Sequence, residues 1–295
     1  MNEQHHEPVL LEETIKYLDP KKDENFIDGT VGDGGHASAI LKLSEPRGKL
    51  IGFDRDERAL RRAQHNLSKF GERIKLINDN FKNLDQYVTA SFKTSGIILD
   101  LGFSLIQIKD PKRGFSFREN GPLDMRYDLR QKDDAAQIVN TYTEDELYEI
   151  IWQYGEERYA RQIAKEIVKA RKKSPIAITL ELVNVIAKAV PKRYLHSRIH
   201  FATRTFQALR IATNEELTGL EEALPKAIKV LKKGGRLAVI SFHSLEDRIV
   251  KKYFKHLETE GVAKLLTKKP IKPSADEIIQ NPRSRSAKLR VCEKI

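Results

Sequence analysis

The residues of this chain best suited to chemistry begin between Asn25 and His36, which read Asn-Phe-Ile-Asp-Gly-Thr-Val-Gly-Asp-Gly-Gly-His. Gly29, Gly32, Gly34 and Gly35 let the backbone reach positive φ and let a ligand approach the main chain closely. Phe26 and Ile27 before them suit a short buried strand, and His36 leads into a helix. A strand, a glycine-rich turn and a helix make the nucleotide-cradling corner of an open α/β sheet. A glycine-rich turn alone is a weak signal, and two details narrow it. Asp54 ends the next apolar run, Lys49-Leu-Ile-Gly-Phe-Asp54. An acid roughly 20 residues past the glycines, at the tip of a second strand, suits ribose hydroxyls. That fits a dinucleotide and S-adenosylmethionine equally. Asp28 and Asp33 then place carboxylates where a dinucleotide would put its pyrophosphate, and like charges repel. S-adenosylmethionine carries an ammonium and a sulfonium there, so the acidic loop favours the methyl donor. The competing reading is that Asp33 points to solvent.

Further along, Asp100 closes the apolar run Gly96-Ile-Ile-Leu and so falls at the carboxyl edge of the sheet, where ligands of α/β folds bind. Asp79-Asn-Phe81 follows a third run, where a side chain can touch an adenine. His243 follows the run Gly234–Phe242. It has two readings, a general base or a structural residue at a strand end. Glu246 and Asp247 after it suit the first turn of a helix. Asp124 and Arg126, in a long polar loop from Lys109 to Arg130, either help to form an acceptor pocket or pair with each other. A structureless loop of that length is usually functional.

The elements that must position these residues alternate. Strands at Phe26–Ile27, Lys49–Asp54, Ile74–Ile77 and Gly96–Asp100 are separated by helical stripes such as Leu60, Ala63, Leu67 and Phe70. This is the order of a parallel sheet covered by helices. The alternation then stops. Thr143 and Glu146 make a capping box ahead of Leu147, Ile150 and Ile151. Stripes at Tyr159–Ala170 and Leu182–Val190 follow with no strand signal between them. The sheet resumes at Gly234–Phe242, after a helix that Pro225 is expected to break or kink. A helix over Leu245–His256 and last strands at Val262–Leu266 and Ala287–Ile295 close the chain, with a Lys/Pro-rich loop between the strands. The fold class is therefore α/β. Residues 1–109 and 216–295 read as one discontinuous sheet domain, and 110–215 as an inserted all-helical domain. The segment from His6 to Leu11 reads either as a cover for the ligand mouth or as a packing arm.

The 295 residues suit one large domain or two smaller ones. The net charge of +11 favours a polyanionic partner. The richest stretch is Lys188 to Arg210, with Lys192, Arg193, Arg198, Arg204 and Arg210, no acid, and Tyr194, Phe201 and Phe206 interleaved. Cations for phosphates and aromatics for splayed bases are what single-stranded RNA needs. The competing reading is a solvated helix face with Phe201 and Phe206 in the core. Arg283, Arg285, Lys288 and Arg290 form a second basic group. Cys292 is the only cysteine, which excludes an internal disulfide and a cysteine zinc site. No signal peptide or membrane-spanning run is read, so a cytoplasmic enzyme with no membrane partner is expected.

Taken together, seven blocks resemble one family. They are Asp28–His36, Asp100-Leu-Gly-Phe-Ser104 with Gln107, Arg113-Gly-Phe-Ser-Phe117 and Pro122-Leu-Asp-Met-Arg126. With them go Phe206-Gln-Ala-Leu-Arg-Ile211, Ile240-Ser-Phe-His-Ser-Leu-Glu-Asp-Arg248 and Asn281–Arg290. In this order the chain is similar to the MraW/RsmH-type ribosomal RNA (cytosine-N4) methyltransferases. One departure is Leu105-Ile106, where the family pattern has Ser-Pro. The resemblance implies a Rossmann-like methyltransferase sheet domain with an inserted helical domain for substrate recognition. It implies S-adenosylmethionine as methyl donor, held by Gly34, Gly35, His36, Asp54, Phe81, Asp100 and Gln107. It also implies a cytidine in the decoding region of bacterial 16S ribosomal RNA as acceptor, with the assembled small subunit as the expected form. Oligomeric state stays open.

The donor is an already activated sulfonium, so no metal is required. The exocyclic nitrogen of cytosine is a poor nucleophile, and an acceptor on its protons helps it. Asp100 and its loop are placed for that, Phe103 for stacking on the base or for packing the loop. Two other readings compete. One is a methyltransferase for DNA, protein or a small molecule. The other is a nucleic-acid-binding or assembly protein that keeps a donor pocket without turnover.

Overall fold

The computed structural model describes residues 8–102 and 105–295. The chain opens with α1 (Leu11–Leu18), then β1 (Asn25–Asp28), α2 (Gly35–Leu43), β2 (Leu50–Phe53), α3 (Glu57–Asn66), β3 (Ile74–Ile77) and β4 (Thr94–Asp100). Seven helices follow without a strand: α4 (Leu105–Lys109), α5 (Ala135–Thr141), α6 (Glu144–Gly155), α7 (Ala160–Arg171), α8 (Thr179–Ala189), α9 (Lys192–Leu195) and α10 (Thr203–Asn214). Then come α11 (Glu216–Val230), β5 (Leu231–Ser241), α12 (Ser244–Thr259), β6 (Ala263–Leu265), α13 (Ala275–Gln280) and β7 (Lys288–Lys294). The chain divides into two compact units. One holds residues up to Gly102 together with Leu217–Ile295, and the other holds Phe103–Glu216.

The first unit is an α/β sheet of seven strands in the order β3-β2-β1-β4-β5-β7-β6. The strands β1 to β5 pair in parallel, whereas β7 runs antiparallel to both β5 and β6. The parallel order expected of the first strands is found, and the last two strands add an antiparallel edge. The stretch from β6 to β7, which includes α13, returns the chain in the opposite direction, and antiparallel neighbours need no crossover over a face of the sheet. Successive side chains of each strand leave on opposite faces. Phe26, Ile98, Ala238 and Ile240 pack with α1, α2 and α3, while Ile27, Ile97, Leu99, Leu237 and Val239 pack with α11 and α12. Burial on both faces is why these strands read as continuous apolar runs. Pro225 lies inside α11 without ending it, so no break occurs there. The stretch between β6 and β7 is not only loop: it carries α13, capped by Ser274.

The second unit has its own core. Leu147, Ile151, Ile163, Ile167, Leu182, Ile186 and Leu209 are all fully buried within it. The expected capping box forms: the Thr143 hydroxyl accepts the N–H of Glu146, whose carboxylate accepts the N–H of Thr143. The loop expected to be structureless is well tied. Asp110 caps a turn over Pro111–Arg113, Pro122 bridges to Ile178, and the buried Arg113 guanidinium donates to the carbonyls of Arg126 and Tyr127. These bonds place the loop inside the helical unit, which begins at Phe103 rather than near residue 110.

Candidate active site

The strand order reverses between β1 and β4, and the carboxyl ends of β2, β1 and β4 lie side by side there. Such a switch point opens a crevice in α/β sheets. Three carboxylates converge on it: Asp28 at the end of β1, Asp54 just beyond β2 and Asp100 at the end of β4. The glycine loop is laced to all three. Thr30 donates its N–H to Asp28 Oδ1 at 3.1 Å, and its hydroxyl accepts the N–H of Asp100 at 2.6 Å. Gly32 donates to Asp54 Oδ2 at 3.0 Å, and Asp56 donates to Asp54 Oδ1 at 2.8 Å. Asp54 therefore helps to set the loop's shape.

Glycine is required at two points. Gly34 caps α2 with φ of 90°, a region that side chains with a Cβ avoid. A Cβ on Gly35 would stand 2.2 Å from Pro8 Cγ. Pro8 leads into Val9 and Leu10, both buried, and Leu10 donates to Glu277 Oε1 at 2.8 Å. Within the described residues this is the packing arm of the two readings; His6 lies outside them. His36, in the first turn of α2, is buried between the arm and the crevice. Its Nε2 lies 3.2 Å from the carbonyl of Val9, so that nitrogen donates, and its Nδ1 lies 3.9 Å from Asp100 Oδ2.

Electrostatics single out this cluster. Burial pushes Asp28 up to about 8, with the neighbouring Asp100 and Asp54 adding to the rise. Burial pushes Asp100 up to about 7 and Asp54 up to about 6. Three acids gathered at one corner favour a cationic ligand over a pyrophosphate. Asp33, by contrast, is spent on Arg62, whose Nε donates to it at 2.7 Å on α3. The preference for a cation over a pyrophosphate thus rests on Asp28, Asp54 and Asp100, not on Asp33 or on a solvent-facing side chain. Phe81 opens the turn after β3 and packs half-buried against Gly29 and the second face of the sheet.

Other sequence-read residues lie elsewhere. Gln107 is a buried residue of α4, in the helical unit. Phe103 lies outside the described residues. His243 caps α12: its Nδ1 accepts the N–H of Glu246, and the buried Glu246 accepts the N–H groups of Phe242 and His243. The structural reading of His243 is the one its bonds support. Asp247 does not cap. It holds Arg290 Nε at 2.7 Å and Lys288 Nζ at 3.1 Å, so these two cations staple β7 to α12 and leave the second basic group. Asp124 and Arg126 pair with each other at 2.8–2.9 Å, the loop staple of the two readings.

The basic stretch sorts in the same way. Lys192, Arg193 and Arg198 are exposed. Arg210 is not available: its guanidinium makes two 2.9 Å bonds to Glu216, with both side chains nearly buried. Arg204 donates to the carbonyl of Glu156 at 2.7 Å, which fixes its guanidinium between helices. The Tyr194 hydroxyl donates to the buried Glu157, and burial with that bond pushes Tyr194 up to about 12. Phe206 is core. Thr30 was not read from the sequence as a site residue, although a hydroxyl inside an Asp-Gly-Thr turn is the signal that would have found it.

Relatives give the chain its place. The model of the MraW methylase family matches residues 3–295. The chain is 50% identical over 313 aligned residues to the ribosomal RNA small subunit methyltransferase H of Geobacter sp. (strain M21), covering all of both chains. It is 47% identical to the protein of that name from Heliobacterium mobile and 45% identical to the one from Clostridioides difficile (strain 630), with 99% of each chain covered. A match of the family model from end to end, with the glycine loop and its three carboxylates in place, makes this chain a member of the MraW methylase family.

Proposed function

We propose that the protein transfers a methyl group from S-adenosylmethionine to the exocyclic N4 of a cytidine in the decoding region of 16S ribosomal RNA. The observation that carries this reading is the convergence of Asp28, Asp54 and Asp100 on the switch point, each bonded to the glycine loop, an acidic corner that suits a cationic donor. Bound there, the donor supplies an electrophilic methyl on a sulfonium, already activated without a metal. Gly34, Gly35 and the first turn of α2 hold its amino-acid end, Asp54 its ribose, and Phe81 one side of its adenine. His36 and Asp100 line the approach to the methyl.

Asp100 has the chemistry the acceptor lacks. A carboxylate at N4 accepts one amine hydrogen, turns the lone pair toward the methyl and offsets the charge that develops on nitrogen. The N–C bond forms as the C–S bond breaks, sulfur keeps the electron pair, and the nitrogen sheds a proton. As a carboxylate beside the bound sulfonium, Asp100 can accept that proton. Positioning of two bound reactants supplies most of the remaining acceleration. The unit Phe103–Glu216 recognises the RNA, with Lys192, Arg193 and Arg198 on phosphates. The assembled small subunit is the substrate form and the cytoplasm the compartment. No described helix is long and apolar enough to cross a membrane.

The test is an acceptor panel. Labelled donor is incubated with small ribosomal subunits, free 16S RNA, DNA and buffer. Label in the small-subunit RNA is the expected result. Label in DNA or protein, or none in any acceptor, would overturn the proposal.

A further inference from the structure

A cavity of about 510 Å³ lies between α11 and α12 on the sheet unit. That volume falls within the roughly 300–1,000 Å³ of small-molecule sites. Leu217 and Leu224 line it from α11, and Leu245, Ile249 and Tyr253 line it from α12. Leu224 and Leu245 are buried, whereas Leu217, Ile249 and Tyr253 are only half-buried. Charged side chains complete the lining: Glu221 from α11, Arg248 and Lys252 from α12. Glu221 and Lys252 are exposed, and neither side chain is bonded to another group among the described residues.

The cavity opens beside a cationic face. Arg248, Lys251, Lys252 and Lys255 stand at i, i+3, i+4 and i+7, so they share one side of α12, and all four are exposed. Val250, Phe254 and Leu257 take the opposite side into the core. Leu245, Ile249 and Tyr253, at i, i+4 and i+8, run along the flank between the two and carry the cavity wall. The three lysines make no ion pair among the described residues, unlike Lys288 and Arg290, which Asp247 claims. Chemistry is sorted across this surface, with apolar walls and a single carboxylate inside and cations outside. A nucleotide is sorted in the same way. Its base is flat and apolar on its faces, amine donors lie on the base edge, and the phosphates outside are anionic. An acidic peptide does not match, because the side chains that would enter the cavity carry the charge that Glu221 repels.

We infer that the cleft between α11 and α12 seats an unpaired nucleotide of the RNA substrate, with its base between Leu217 and Ile249, its amine edge on Glu221, and the adjoining phosphates on Lys251, Lys252 and Lys255. This rests on the reading of the protein as an RNA methyltransferase. It gives the sheet unit its own hold on the strand, in addition to the one assigned to Lys192, Arg193 and Arg198 of the helical unit. A base paired in an A-form duplex has its amine edge engaged, so the seat selects single-stranded RNA.

The experiment measures binding of a fluorescently labelled single-stranded RNA, and of the same strand made abasic, over a range of salt concentrations. The full-length protein is compared with the triple change Lys251→Gln/Lys252→Gln/Lys255→Gln, with Ile249→Trp, which fills the cavity, and with Glu221→Leu. The triple change should weaken both strands by roughly 10- to 100-fold at low salt and reduce the salt slope by about 2. Ile249→Trp should weaken the base-bearing strand by about tenfold and leave the abasic strand unchanged. Glu221→Leu removes a negative charge, so electrostatics alone would tighten both strands; the seat predicts that only the abasic strand tightens. Wild-type melting temperature and donor affinity identify the folded variants, and the exposed Glu221→Leu decides the matter if Ile249→Trp does not fold. An unchanged salt slope in the triple variant overturns the seat, as does an equal response of the two strands to Glu221→Leu. A glutamate-rich peptide or a second copy of the chain that binds the cleft, and is lost in Ile249→Trp while RNA binding is untouched, overturns it as well. If the predicted responses appear but wild type methylates no ribosomal RNA, the functional reading falls and the seat stands. If methylation proceeds and RNA affinity is insensitive to all three variants, the seat falls and the functional reading stands.

Discussion

Asp54 accepts the N–H of Gly32 in the glycine loop and is assigned to the donor's ribose, and substitution tests that assignment. Asp54→Ala is expected to weaken S-adenosylmethionine binding by about 1–3 kcal/mol, because the ribose hydroxyls and Gly32 both lose a charged acceptor. Calorimetry on a folded variant checks this, and unchanged affinity would remove Asp54 from the site. The carboxyl cluster also sets a pH dependence. In the free protein Asp28, Asp54 and Asp100 hold their protons up to about 8, 6 and 7. Each folded-state value lies above the unfolded one, so their contribution to stability is full below about pH 4 and is lost as pH rises through 6 to 8. A cation bound among them reverses the preference and releases protons, so donor affinity should rise with pH across that window. Asp28→Asn keeps an acceptor for Thr30 and removes the buried charge. It should stabilise the donor-free protein by roughly 1–3 kcal/mol at pH 8.5 and by little at pH 5. Equal shifts at both pH values in thermal melts would contradict the cluster's electrostatics.

At the scale of elements, His243 is a helix cap. His243→Ala should cost about 1 kcal/mol of stability and leave turnover at saturating substrates within a few-fold. A loss of 10²-fold or more would return it to the role of general base. The elements themselves were legible where one physical rule dominates. Buried parallel strands announced themselves as apolar runs, and the Thr143–Glu146 box announced α6. The reading failed where tertiary contacts decide. Nothing local in Arg283–Arg290 says that Asp247 will claim two of its cations, and nothing in Arg210 points to Glu216. Charge counts treat all cations alike, whereas the fold spends some of them on staples. The carboxylates of the switch point were legible because they close strands. Thr30 was not, because its bond to Asp100 joins segments 70 residues apart.

For the whole molecule, the sheet unit is assigned the donor and the unit Phe103–Glu216 the acceptor. A chain lacking that second unit is expected to keep a folded sheet with measurable donor binding and to lose RNA methylation. A truncated chain that still methylates small-subunit RNA at the normal rate would remove the helical unit from acceptor recognition. The most direct measurement is the identity of the nucleoside made. Small subunits lacking the modification are incubated with donor and either wild type or Asp100→Asn, and their 16S RNA is digested and mapped by mass. Wild type should yield N4-methylcytidine at one position. The variant should yield it at least about 10²-fold more slowly at saturating donor if the carboxylate serves the transition state. A methyl group on any atom other than N4, or equal rates from the two proteins with equal donor affinity, would contradict the account.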